Sequence, residues 1–131
     1  MKGIMHLATG FVFFLILWLL IPEVKITMIF IPIAMVLFPD TDLKFNTHRN
    51  FLFHSVIIWV IVWIYNPSLI NALVVLSVGF HCLCDIRLSP KYWKGFYNIK
   101  LYHRSLLKGL TSTLWLTINF IISVIIFLLA L

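Results

Sequence analysis

Charge is scarce in this chain. Only 11% of its 131 residues are charged, and just four are acidic. Apolar residues make up 63%, and mean hydropathy is +1.09. A water-exposed surface cannot be assembled from so few polar residues, which excludes an ordinary soluble globular protein. Cysteine is rare too. Cys82 and Cys84 are two residues apart, on opposite sides of a helix, and form no CxxC motif, so no disulfide framework is implied. The HExxH of zinc proteases, the Walker phosphate loop and the GxSxG elbow of serine hydrolases are all missing. There are no internal repeats, low-complexity tracts or soluble domain.

What is present is a series of apolar stretches: about 4–21, 24–38, 51–65, 69–86 and 110–131. A helix needs roughly 17–25 residues to cross the hydrocarbon core. The first, fourth and fifth stretches fit, and the second and third are short. The expected fold is all-α, a single polytopic membrane domain over 1–131 with about five transmembrane helices. Lys2 before an apolar run resembles a signal peptide, but no small-residue cleavage site follows Leu20-Ile21-Pro22, so the segment reads as a retained first helix. Pro22, Pro39 and Pro67 mark segment limits, and Pro32 should kink the second helix. The third and fifth stretches show no evident pore-lining polar stripe.

The basic residues orient this arrangement. Five crossings put Lys2, Lys44, Arg49, Arg87, Lys91, Lys94, Lys100, Arg104 and Lys108 on one side and only Lys25 on the other. The positive-inside rule then predicts an integral plasma (inner) membrane protein with its N-terminus cytoplasmic and its C-terminus outside. The segment 87–109 combines six basic residues with Tyr92, Trp93, Phe96, Tyr97 and Tyr102. From Ile99 on, Ile99, Tyr102, Leu106, Leu107 and Leu110 form a stripe opposite Lys100, Arg104 and Lys108. This predicts a basic amphipathic interfacial helix on anionic lipids. It could gather lipid phosphates, or serve as an anchor alone. His103 is a weak further candidate beside it. Nucleic acid is not expected as a partner, because membrane geometry accounts for the basic loop.

Three of the four acidic residues sit near histidines at segment edges: Pro39-Asp40-Thr41-Asp42, His48-Arg49 through His54-Ser55, and His81-xxx-Asp85. Ionisable groups are costly near lipid, so their retention points to a site. His81 and Asp85 share one helix face and can reach one ion, or can pair with each other to tie helices together. Asp40 and Asp42 diverge by about 200° on an ideal helix. They reach one site only if the chain leaves helix geometry at Pro39, and the alternative is a helix-end turn with capping aspartates. His48 and His54 are about 9 Å apart along a helix axis, so sharing one ion requires His48 on a loop. His48 could otherwise act as a general acid. Arg49 could clamp a phosphate or anchor the chain at the membrane surface. Ser55 is expected to cap or support His54. His6, one turn before Gly10, is either a ligand or an interface histidine, with Gly10 allowing close helix approach. Topology was assigned from Lys and Arg alone, yet all these groups fall on the cytoplasmic side.

In order, His6-xxx-Gly10, Pro39-Asp-Thr-Asp42, His48-Arg49-xxxx-His54-Ser55 and His81-xxx-Asp85 resemble the YdjM-type family, LexA-binding inner-membrane proteins described as metal-dependent hydrolases. The resemblance spans about 80 residues. Asn50 and Phe53 depart from the Gly-x-Thr that usually follows His-Arg there. It implies His6, Asp40, Asp42, His48, His54, His81 and Asp85 as the polar set of a metal centre. A fainter likeness, through the HxxxD spacing, is to all-helical zinc-dependent phospholipase C and nuclease enzymes.

The expected function is a membrane-embedded, metal-dependent hydrolase acting on a phosphoester, such as a lipid phosphate, at the cytoplasmic face. Mixed nitrogen and oxygen ligands without thiolate favour Zn or Mn, with Mg also possible. Asp42 or His48 would move the proton and Arg49 would steady the phosphate. The alternative is a non-catalytic membrane subunit whose His/Asp cluster is a structural metal or hydrogen-bond node for a protein partner or a second copy. A metal or proton carrier would need polar groups leading outward, where only Glu23 and Lys25 are found.

Overall fold

The computed structural model describes residues 3–41, 50–86, 98–101 and 104–131. Among these are five α-helices: α1 (Gly3–Leu20), α2 (Phe30–Met35), α3 (Ile57–Tyr65), α4 (Leu69–Cys84) and α5 (Leu110–Ala130). A 3-10 turn, Ile26–Met28, precedes α2. Two antiparallel strands, β1 (Asn98–Leu101) and β2 (Arg104–Lys108), precede α5. The chain is thus mostly helical. Among the described residues one helix, α5, is long and apolar enough to cross a membrane. Residues 4–20, 26–41 and 69–84 form shorter apolar helices.

The second apolar stretch is broken where its prolines require it. Pro32 has no N–H to offer Met28, and the 3-10 turn ends at Met28 before α2 begins at Phe30. After Met35 the chain tightens. Leu37 donates to Ala34, Phe38 to Met35, Asp40 to Leu37 and Thr41 to Phe38, all three residues back. The third stretch also starts later than expected. Residues 51–54 form a turn in which the Asn50 side chain accepts the Leu52 N–H at 3.0 Å, and helix begins only at Ile57.

The largest departure from the sequence expectation is at 98–101 and 104–108, where two antiparallel strands stand in place of the amphipathic helix; residues 87–97 of that expected segment lie outside the described residues. Two strands alone are marginal, so packing must hold them. Ile99 is fully buried against Cys82 and Leu116, with Phe51, Ile86, Leu107 and Trp115 around it. The Phe51 N–H donates to the Lys100 carbonyl at 2.7 Å, and Asn50 bridges to Lys100. Gly109, with φ 54°, takes the left-handed turn from β2 into α5.

Helix α4 is the centre of the bundle. Ten of its sixteen residues are buried, and it contacts α1, α2, α3 and α5. One apolar cluster joins Phe14, Ile29, Val36, Leu73, Leu76 and Phe127, and a second joins Val56, Ala72, Val75, Val78 and Ile126. Gly79 lets α5 approach so closely that a Cβ there would collide with the Ser123 side chain. Likewise a Cβ on Gly10 would meet Val36 Cγ2 at 2.8 Å, so α1 presses on α2 as its glycine suggested.

The helices turn their large aliphatic side chains outward. On α5, Leu114, Ile118, Ile121, Ile125 and Leu128 are exposed, while Ser112, Asn119 and Ser123 are buried on the other face. That buried polar face is legible in sequence only as the spacing 112, 119, 123, which repeats with the helix turn. The Ser112 and Ser123 hydroxyls donate to carbonyls three residues earlier.

Candidate metal centre

Four elements converge at one end of the bundle. His6 is in the first turn of α1, Asp40 follows α2, His54 precedes α3, and His81 and Asp85 close α4. His6 and His81 are fully buried, His54 is 1% exposed and Asp85 3%. The Asp40 side chain is the most open, at 15%.

Asp85 is the hub. Its Oδ1 lies 3.5 Å from His6 Nε2, and its Oδ2 lies 3.6 Å from His54 Nε2 and 3.8 Å from His81 Nε2. The second carboxylate, Asp40, is 3.8 Å from His81 Nε2. The His6 and His81 rings stack at 4.2 Å, and His54 meets His81 edge-on at 5.3 Å.

The spacings discriminate between two kinds of cluster. Hydrogen bonds would bring these atoms to about 2.7–3.2 Å. Atoms that ligate one tetrahedral ion at about 2.0–2.2 Å lie roughly 3.3–3.6 Å apart. Gaps of 3.5–3.8 Å are too wide for good hydrogen bonds and close to the ligand spacing. Among the described residues, neither His6 ring nitrogen nor His81 Nε2 has a hydrogen-bond partner, although all are buried. Buried polar atoms in that condition are uncommon and costly. Two ligand sets emerge, both through His81: His6, His81 and Asp85, and Asp40, His54 and His81. These five residues therefore fit a divalent ion.

Three backbone anchors orient the histidines, and reading residue types alone does not find them. His81 Nδ1 donates to the Val36 carbonyl at 2.8 Å, because a carbonyl can only accept. The Trp115 indole N–H donates to the His54 carbonyl at 3.2 Å. Asn119 Oδ1 accepts the Val56 N–H at 2.8 Å while its amide donates to the Trp115 carbonyl. The buried face of α5 thus clamps the segment that carries His54. Ser55 supports the same segment, its Oγ accepting the Ile57 N–H at 3.2 Å.

Of the residues expected at the centre, the structure brings together His6, Asp40, His54, His81 and Asp85. Asp42, His48 and Arg49 lie outside the described residues, as does His103. No protein-family model, curated protein or solved structure matches this chain.

Proposed function

We propose that this chain is an integral membrane protein, crossing the bilayer about five times, with a metal-dependent hydrolytic centre at its cytoplasmic face. The observation that carries this reading is Asp85 facing three buried histidines at 3.5–3.8 Å. The apolar exterior and inward polar residues support the membrane reading, since a soluble helix does the reverse. The basic bias of the loops supports the orientation.

His6, His54, His81, Asp85 and Asp40 would hold one or two divalent ions, Zn or Mn by ligand type, with Mg possible. An ion there would lower the pKa of water and polarise a phosphoryl oxygen. Asp40, the most open member, marks the side from which a substrate would approach. Asp42 or His48 would carry the proton, and Arg49 would bind the phosphate. The substrate would be a lipid phosphoester. The exposed Arg104 on the hairpin suits an anionic headgroup layer.

A second reading is favoured by one specific observation. The histidines are so completely buried that little room remains for substrate, which suits a structural metal node in a membrane subunit.

Elemental analysis of untagged protein in mild detergent, beside the His81→Ala/Asp85→Ala variant, tests the centre. About one or two equivalents of Zn or Mn, lost in the variant, are expected. No metal in either sample, even after reconstitution with Zn²⁺, Mn²⁺ or Mg²⁺, would sink both readings that need an ion. Hydrolysis of lipid phosphoesters by the loaded protein, abolished in the variant, would then separate the enzyme from the structural node.

A further inference from the structure

The backbone between Val36 and Thr41 has a single gap in its hydrogen-bond pattern. Leu37, Phe38, Asp40 and Thr41 each donate three residues back. The missing member is residue 39, whose N–H would meet the Val36 carbonyl. Residue 39 is proline and has no N–H. Val36 is fully buried, so water is not its natural substitute. The partner that takes its carbonyl is His81 Nδ1, at 2.8 Å, from 45 residues away.

We propose that Pro39 is a positioning residue for His81: by leaving the Val36 carbonyl free, it holds His81 as the Nδ1–H tautomer, with the Nε2 lone pair turned toward Asp40 and Asp85. The two histidine nitrogens are distinct, and the hydrogen bond made by one decides what the other can ligate. His81 Nε2 lies 3.8 Å from both Asp40 Oδ1 and Asp85 Oδ2, and His81 is the residue that both ligand sets share. With Nδ1 occupied, His81 binds a single ion through Nε2 and does not bridge two. The purpose of this arrangement rests on the metal-centre reading; the tautomer itself does not.

The test uses the full chain in detergent micelles, ¹⁵N-labelled at histidine and freed of metal by chelation. It is run at about pH 8, where an ordinary imidazole is neutral. Long-range ¹H–¹⁵N correlation spectra report which ring nitrogen carries the proton, and the His81 signal is the one lost in His81→Gln. Wild type should show a protonated Nδ1 and a bare Nε2. Pro39→Ala, which restores the competing N–H, should give mixed tautomers at His81 and a zinc affinity weaker by about 10–100-fold. A wild-type His81 protonated at Nε2, or evenly mixed, overturns the proposal without reference to any variant. An unchanged Nδ1–H signature in a folded Pro39→Ala protein overturns the role of Pro39. If neither protein binds zinc, the metal reading fails, while the spectra still decide the tautomer.

Discussion

At the N-terminal end of α4 the Ser68 hydroxyl accepts the Asn71 N–H at 3.3 Å, and the Asn71 amide donates to the Asn66 carbonyl at 2.8 Å. At the C-terminal end His81 and Asp85 meet His6, His54 and Asp40 across gaps of 3.5–3.8 Å. One end is a local cap, its polar groups bonded within a few residues. The other gathers imidazoles and carboxylates from four separate elements. Burial is not the difference in kind, since a cleft beside Trp63, Pro67 and Leu69 also holds a buried indole N–H that has no hydrogen-bond partner among the described residues. The difference is that, among the described residues, carboxylates and imidazoles converge only at the His81 end. Convergence of ligand-type side chains from separate elements distinguishes a site from a local helix cap.

The most damaging change to this contrast should be Asp85→Asn, which keeps the side-chain volume and removes the charge shared by three histidines. Zinc affinity measured by competition with a chromophoric chelator should fall on the order of 100-fold or more, past the range for outer-shell groups. Wild type at a zinc concentration of 100 times Kd should gain about 2.7 kcal/mol of stability. The variant should gain almost none. Equal zinc stabilisation of both proteins would show that Asp85 is a packing residue.

Next comes Gly79→Ala. The added methyl would collide with Ser123 and force α4 and α5 apart, at a cost of about 1–3 kcal/mol in chemical unfolding. Adding Ser123→Gly should recover most of that loss. A variant pair whose effects merely add would mean that the collision is absorbed elsewhere.

Asn119→Leu removes the acceptor for the buried Val56 N–H and should cost about 1–3 kcal/mol. Because Val56 follows His54 so closely, zinc affinity should weaken as well. Loss of stability with unaltered zinc binding would uncouple α5 from the centre. The smallest effect is expected at the opposite end. Trp63→Phe deletes an N–H that has no hydrogen-bond partner among the described residues, so the stability cost should be about 1 kcal/mol or less and zinc affinity should not change.

Much of the candidate centre was legible because acids are so few. With four in the chain, Asp40 and Asp85 stood out, and the four-residue step from His81 to Asp85 put both on one helix face. The hairpin was not legible. Ile99, Tyr102, Leu106 and Leu107 satisfy a helical period, and what prevailed was a backbone pairing with Asn50 and Phe51 that no local pattern encodes. The delayed start of α3 has a similar origin. Apolar residues from Phe51 on look helical, but the Asn50 side chain holds a turn and Asn119 takes the Val56 N–H. Within the second apolar stretch, Pro32 announced a break, while the consequence of Pro39 for a distant histidine could not be read there.

By itself the sequence determined that the helices bury their polar residues and show their aliphatic ones, because 63% apolar composition leaves too few polar side chains to cover the outside. It also determined which residues were available to ligate an ion, since ligand chemistry belongs to residue type. Only the tertiary structure decided that His6, far from Asp85 in the chain, faces it at 3.5 Å, and which nitrogen of His81 turns inward. The physical reason is that a free backbone carbonyl has no signature in residue type. Its effect appears only when packing brings a distant ring within 2.8 Å of it.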